Sequence, residues 1–183
     1  MKYISFVVPC FNSEKYMEKC IDSLLMCGDD VEIIIVNDGS TDTTAEIAKN
    51  YLKNNSNIKF IDKENGGHGS GINAGLKICE GLYFKCVDSD DWIDFDAYKK
   101  LIKAIKDNYN KNTNPDLYLT NYNYERIDMN KSFCEDYLRK LNIKSISLNP
   151  NQTNYAIYSA INPACRINHC NSPITLLKAI RIH

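Results

Sequence analysis

The amino-acid sequence predicts an α/β domain with a doubly wound, mainly parallel sheet flanked by helices. Three observations support this class. Short apolar runs alternate with stretches of helical periodicity over the first half of the chain. The run VEIIIV is rich in β-branched residues, as expected for a strand that is covered on both faces. A β-α-β-α order also favours parallel strands that are joined by right-handed crossovers.

Four apolar runs are predicted to be strands. They are ISFVV (4–8), VEIIIV (31–36), IKFI (58–61) and LYFKCV (82–87). A further strand is predicted over DLYLTNYNYE (116–125), and the Asn-rich remainder has weak periodicity.

Helical patterns follow each of these four runs. They cover residues 16–25, TTAEIAKNYL (43–52), GSGINAGLKIC (69–79) and FDAYKKLIKAIKD (95–107). Ser40, Thr41 or Asp42 is available to cap the second helix, and Asp94 or Asp96 lies near the start of the fourth.

Composition and charge limit the class of protein further. The chain has 183 residues, of which 44% are hydrophobic and 25% are charged, as in a single globular domain. The N-terminal residues predict neither a secretory signal nor a membrane-spanning helix, so we expect a cytoplasmic protein whose eight cysteines are thiols. The net charge is −1 and no run of Lys or Arg occurs, which argues against a nucleic-acid partner.

Every predicted strand ends in a polar or glycine-rich segment. These segments are PCFNSE (9–14), NDGSTD (37–42), KENGGHGSGIN (63–73) and DSDDW (88–92). Ligands of open parallel sheets bind outside the carboxyl ends of the strands, so these segments are the candidate site.

The DSDDW segment has the most specific chemistry. Asp88 and Asp90 are separated by one residue, so in an extended segment they would project to the same side and share a ligand. Mg²⁺ or Mn²⁺ is the type of ion that two such carboxylates bind. The alternative is that the aspartates of this segment only cap the next helix.

NDGSTD and the glycine-rich segment each allow a functional and a purely structural interpretation. Asp38 could accept a hydrogen bond from a base or ribose, or could only organise a turn with Gly39. The glycines around His68 could admit an anionic ligand to a helix N-terminus, and His68 could bond to it or be a solvated loop residue.

The glycine spacing does not fit the dinucleotide pattern, because Ile72 replaces the last glycine, so an NAD(P)-dependent oxidoreductase is disfavoured.

Taken in order, the motifs VVPCFN, IIIVNDGSTD, KENGGHGSGINAGL and YFKCVDSDDW resemble the family-2 glycosyltransferases of the GT-A fold. The resemblance covers about residues 3–100. It implies a Rossmann-like nucleotide-binding core over residues 1–125, followed by an incomplete acceptor-side segment over residues 126–183.

The resemblance also implies residue roles. Metal-binding and catalytic roles fall to Asp88 and Asp90, with Mg²⁺ or Mn²⁺ bound to the diphosphate of a nucleotide sugar. Contacts to that donor fall to Pro9, Phe11, Asn12, Glu14, Asp38, Gly67, His68, Asn73, Asp88 and Ser89. Many relatives have arginine where this chain has Ile72, so His68 is a candidate to replace that contact.

The expected reaction is metal-dependent sugar transfer from a UDP-sugar to an acceptor hydroxyl, with inversion. A general base would come from the acceptor side, where Asp136 is the candidate and a solvated helix face is its alternative reading. A binding module without a general base is the alternative function. By analogy, the acceptor would be a carbohydrate or a lipid-linked sugar of cell-envelope polysaccharide synthesis, with peripheral association at the inner face of the membrane.

Overall fold

The computed structural model describes residues 1–120, 122–126, 131–135 and 178–181. The strands are β1 (Ile4–Cys10), β2 (Val31–Asp38), β3 (Ile58–Lys63), β4 (Tyr83–Cys86), β5 (Leu117–Leu119), β6 (Tyr122–Arg126), β7 (Lys131–Glu135) and β8 (Lys178–Arg181). The helices are α1 (Met17–Leu25), α2 (Thr44–Asn54), α3 (His68–Leu76) and α4 (Phe95–Asn110), and a 3-10 turn spans Gly28–Asp30.

Six strands form the main sheet in the order β3-β2-β1-β4-β8-β5. The first four are parallel to one another, and β8 runs antiparallel to both β4 and β5. The predicted mainly parallel sheet is therefore confirmed. The carboxyl ends of β1 to β4 meet at one edge, because parallel strands all end on the same side.

Over residues 116–125 the structure differs from the prediction of a single strand. The structure has two strands there: β5 pairs within the main sheet and β6 pairs with β7 in a separate antiparallel sheet. The three residues of β5 are continuously apolar, whereas β6 alternates aromatic and polar residues, a pattern typical of a sheet with one solvated face.

No pattern in the sequence predicted β8, which lies between β4 and β5 in the main sheet. Its four residues belong to the segment assigned to the acceptor side. The domain boundary after residue 125 stays a prediction, since most of residues 126–183 lie outside the described part of the chain.

Helices cover both faces of the sheet. Alternate residues of β1 separate into two buried clusters, with Phe6 and Val8 on one face and Val7 on the other. The first cluster includes buried residues of α1 and α4, and the second includes Ile72 of α3. Doubly wound packing is thus confirmed, and it explains why β1 and β2 are buried along their whole length.

Helix α3 approaches the sheet closely at Gly75. A Cβ atom at this position would lie 2.4 Å from Cγ1 of Val7, which is itself fully buried. The absence of a side chain at Gly75 therefore sets how near α3 lies to β1. At Gly69, in the first turn of the same helix, no atom of the described residues lies within 4 Å of the equivalent position, apart from the adjacent residues and the helix backbone.

Replacing Gly75 by alanine is expected to lower the free energy of unfolding by about 1–3 kcal/mol, because overlap with Val7 forces the packed helix and strand apart. Gly69→Ala is the matched control and should leave stability unchanged or raise it by up to about 1 kcal/mol. Urea unfolding of both variants measures the difference. Equal stability of the two variants would show that α3 is not closely packed at Gly75.

An ion-pair network around buried Glu32 lies at the amino ends of the parallel strands. This end of the sheet is opposite the carboxyl ends that form the predicted site. Glu32 of β2, only 2% exposed, accepts hydrogen bonds from the Ser5 hydroxyl and from Gly81 N–H at 3.0 Å. Its carboxylate also lies 2.7 Å from Lys59 Nζ, which in turn lies 2.9 Å from the exposed carboxylate of Glu80. The network fastens the loop before β4 to the amino ends of β1 and β2.

Five cysteines whose side chains the structure describes are free thiols, as predicted. They are Cys10, Cys20, Cys27, Cys79 and Cys86. Burial raises the pKa of Cys10 and of Cys27 to about 12, and Asp42 adds to the shift at Cys10. These two side chains therefore act as small apolar groups of the core.

Candidate functional site

The loop after β1 is fastened to the loop after β2. Asn12 adopts a left-handed conformation with φ of 50°, which asparagine tolerates better than most residues. Its N–H donates to Ser40 Oγ at 3.0 Å, and its Oδ1 accepts from Thr41 N–H at 2.9 Å. Glu14 accepts from both N–H and Oγ1 of Thr43, at 3.1 and 2.8 Å. Asn12 and Glu14 therefore hold these loops together at the predicted site edge.

Phe11 and Pro9 occupy different environments in the same segment. Phe11 is 52% exposed, so its ring is available at the strand ends. Pro9 is a buried residue of β1, and a Cβ atom on Gly71 of α3 would lie 3.2 Å from its Cβ. Of the two, only Phe11 offers a surface to a ligand.

Asp42 contributes to the start of α2 in a way that differs from the expected cap. The N-cap position is Thr43, one residue later than the candidates from the sequence. Asp42 Oδ1 nevertheless accepts from Thr44 N–H at 3.0 Å, and Oδ2 accepts from Glu14 N–H at 3.2 Å. Burial acts to raise the pKa of Asp42, but the hydrogen bonds from Thr44 and Glu14 outweigh it and lower that pKa.

Asp38, the last residue of β2, is 3% exposed. Its Oδ1 accepts hydrogen bonds from Lys63 Nζ and from Gly66 N–H, the latter at 3.0 Å. Burial by itself would raise the pKa of Asp38, but these bonds and the charge of Lys63 hold the pKa below its usual value. Asp38 is thus an ionised group that orders the turn before α3.

Lys63 is a residue of this site that was not predicted from the sequence. It ends β3, next to the end of β2, so its ammonium reaches Asp38 across the sheet edge. Its position in the sequence could have indicated this role. Lys63 directly follows the apolar run of β3, as Asp38 follows that of β2, so both lie at the same edge of the sheet.

The DSDDW segment forms a turn and is not extended as predicted. Ser89 and Asp90 are turn residues, and Asp91 N–H donates to the carbonyl of Asp88 at 2.9 Å. Ser89 Oγ lies 2.8 Å from Ser13 Oγ, which ties this turn to the loop after β1. Asp94, as expected, caps α4 by accepting from Ala97 N–H at 2.7 Å.

Asp88 and Asp90 remain electrostatic neighbours within this turn, and both side chains are exposed. Partial desolvation raises the pKa of Asp90, and the charge of Asp88 acts in the same direction, while His68 opposes it. The charge of Asp88 thus disfavours ionisation of Asp90, and a cation beside the two carboxylates would relieve this repulsion.

His68 begins α3, after Gly67, whose φ of 85° requires glycine. His68 Nε2 lies 3.4 Å from Asp88 Oδ1. The turn that Asp38 orders through Gly66 is therefore followed directly by a residue that contacts Asp88. The start of α3 connects the two acidic positions.

Ile72 lies in the buried cluster on the α3 face of the sheet and is 7% exposed. Ile72 is therefore part of the core. His68 is the residue of α3 that contacts Asp88. Asn73 is exposed on the same helix.

The structure thus brings most of the predicted residues to one sheet edge. Through the contacts given above, these are Asn12, Glu14, Asp38, Gly67, His68, Asp88, Ser89 and Asp90. Asp136 lies outside the described residues. Within the described parts of the chain, no helix combines the length and the apolar character needed to cross a membrane.

Comparison with known proteins places this architecture in a family. The sequence model described as Glycosyl transferase family 2 matches residues 5–170. Glycosyltransferase GlyA of Streptococcus pneumoniae is 35% identical over 159 residues, which cover 79% of this chain and 23% of that protein. The chain thus spans about a quarter of the length of that relative.

Solved structures give the same result. The crystal structure of S. aureus TarS 1-349 matches with a TM-score of 0.55 and 35% identity, over 64% of this chain and 34% of that one. Its complex with UDP-GlcNAc matches with a TM-score of 0.54 and 33% identity, over 64% and 33%. The sheet and its flanking helices are those of the GT-A fold, and the chain belongs to family 2 of the glycosyltransferases.

Proposed function

We propose that this chain transfers the sugar of a UDP-sugar to an acceptor hydroxyl, in a metal-dependent reaction that inverts the anomeric centre. The observation that carries the proposal is the link, through the start of α3, between ionised Asp38 and the Asp88–Asp90 turn. The TarS structure that was determined with UDP-GlcNAc supports a UDP-sugar as the donor.

Asp38 is the proposed partner of the nucleoside. Lys63 and Gly66 both bind its Oδ1, and we assign Oδ2 to an N–H of the base or to a ribose hydroxyl. Its lowered pKa keeps the carboxylate ionised at neutral pH despite its burial, so it can accept charge-assisted hydrogen bonds. Phe11 offers an exposed ring on the same edge, where a flat base can stack.

The residues of the DSDDW turn fit a divalent cation. Asp88 and Asp90 provide carboxylate oxygens, which Mg²⁺ and Mn²⁺ prefer, and their mutual repulsion is relieved when a cation binds. When bound, the ion supplies charge neutralisation for the diphosphate leaving group. Asp90 is the proposed principal ligand, and Asp88 would also contact the ribose. Gly67 lets the backbone at the start of α3 approach an anionic donor.

For the acceptor side, the proposal rests on membership of the family alone. A carboxylate that accepts the proton of the acceptor hydroxyl is required for inversion, and Asp136 stays the predicted candidate. A carbohydrate or lipid-linked acceptor, with peripheral association of the protein at the inner membrane face, is proposed with it.

Calorimetric titration of the full chain with UDP, UDP-GlcNAc and GDP, each with and without Mn²⁺, tests the proposal. We expect UDP and UDP-GlcNAc to bind more tightly than GDP and to bind more tightly with Mn²⁺. Without an acceptor, UDP-GlcNAc should be hydrolysed slowly to UDP and free sugar. Donor binding with no turnover would instead identify a non-catalytic nucleotide-sugar-binding module. Binding of NADH in place of UDP would overturn the donor class.

Asp38→Asn is expected to weaken UDP binding about tenfold or more, because it removes a charged hydrogen-bond acceptor and turns an amide N–H₂ toward Gly66 or Lys63. The matched control is Asp62→Asn in β3, whose half-exposed side chain accepts from Asn37 and can still do so as an amide. The same titration with UDP and Mn²⁺ measures both variants. Equal loss in both would assign the effect to general charge and not to Asp38.

A further inference from the structure

Three different metal-ligating groups converge beside the Asp88–Asp90 turn. They are His68 at the start of α3, Cys86 at the end of β4 and Asp88 two residues later. Asp88 Oδ1 lies 3.4 Å from His68 Nε2 and 3.9 Å from Cys86 Sγ. All three ligand atoms lie within 4.8 Å of one another. Each side chain is at least partly accessible, so an ion can enter from solvent.

This donor set differs from the carboxylate pair in the ions that it favours. Imidazole nitrogen, thiolate sulfur and carboxylate oxygen are ligands of Zn²⁺, and the thiolate disfavours Mg²⁺ and Mn²⁺. Bond lengths to Zn²⁺ imply ligand–ligand separations of about 3.3–3.6 Å in a tetrahedral site. The 3.4 Å separation already matches, and the others require small side-chain rotations.

We propose that His68, Cys86 and Asp88 form a Zn²⁺ site with its fourth position open to water. Binding forms a bond between zinc and Cys86 sulfur while the thiol proton leaves to solvent, and no group is oxidised or reduced. Carboxylate and thiolate together balance the double positive charge of the ion.

Zinc at this site also regulates the donor site described above, a consequence that rests on the proposed function. Asp88 belongs to both sites, and the zinc shell holds its carboxylate toward His68 and Cys86. It is then withdrawn from the Asp88–Asp90 pair. Zn²⁺ therefore opposes Mn²⁺-dependent donor binding.

Titration of the full chain with Co²⁺, a spectroscopic substitute for Zn²⁺, tests the site without any nucleotide. We expect a near-ultraviolet thiolate-to-cobalt charge-transfer band that Zn²⁺ abolishes by displacement. Cys86→Ser should lose the band, and His68→Asn should weaken cobalt binding about tenfold or more. Cys79→Ser, the matched thiol control outside the cluster, should retain the band. A band that persists in Cys86→Ser, or no band in the parent protein, would overturn the site.

Two further measurements distinguish effects of the variants on folding from effects on the regulation of donor binding. Thermal unfolding checks each variant, and His68→Asn alters a side chain that is 52% exposed, so it remains informative if Cys86→Ser does not fold. UDP titration with Mn²⁺ is then repeated with added Zn²⁺, which should weaken UDP binding in the parent but not in Cys86→Ser. Equal weakening in both would overturn the regulation, whereas absence of UDP binding without zinc would contradict the proposed function and leave the cobalt result standing.

Discussion

Asp90→Asn is expected to remove the Mn²⁺ dependence of UDP binding and to lower donor turnover by about 10²–10⁴-fold, since a bound metal contributes several kcal/mol to stabilising the leaving group. Asparagine has the size of aspartate but lacks the charge that a divalent ion requires. The change also relieves the repulsion between Asp88 and Asp90, so the fold should not be weakened. Calorimetry with UDP, with and without Mn²⁺, measures the first effect and donor hydrolysis measures the second.

Asp96→Asn is the matched control for this experiment. Asp96 lies in the first turn of α4, and its exposed carboxylate pairs only with Lys99 in the contacts found among the described residues. Nucleotide binding and its metal dependence should be unchanged. If Asp90→Asn bound UDP with Mn²⁺ as the parent does, the metal assignment of the DSDDW turn would be wrong.

Glu32→Gln is expected to lower the free energy of unfolding by about 1–3 kcal/mol, because it removes a buried charge that Ser5, Lys59 and Gly81 all contact. Chemical unfolding at neutral pH measures the loss. Glu80→Gln is the matched control, because Glu80 binds the same Lys59 but its side chain is 73% exposed. That control should change stability by no more than about 0.5 kcal/mol. Similar losses in both would show that the burial of Glu32 is not the cause.

The effect of Glu32 should also depend on pH. Burial acts to raise the pKa of Glu32, but hydrogen bonds from Lys59, Ser5 and Glu80 N–H hold it below the usual 4.5. Its stabilising effect is therefore complete above that usual value and is lost as the pH falls through the lower pKa of the folded protein. The stability difference between the parent and Glu32→Gln should shrink in acid, and a difference that stayed constant would contradict an ionised Glu32.

Much of the fold was predictable because the hydrophobic pattern is local. The alternation of apolar runs such as VEIIIV with helical patterns such as that of residues 43–52 predicts a sheet with helices on its faces. Strand β8 had no such signal, because four residues in a weakly patterned segment become a strand only by pairing with β4 and β5.

For the site, the acidic and glycine-rich strand ends could be read directly, because a parallel sheet brings its carboxyl ends together. The sequence by itself thus determined the fold class, the family and the segments that meet at the edge. Only the tertiary structure decided which side chains touch: Lys63 with Asp38, Ser13 with Ser89, and Asp88 with Cys86 and His68. The physical reason is that contacts between different strand ends depend on register, turn conformation and side-chain direction, which no local pattern in the sequence specifies.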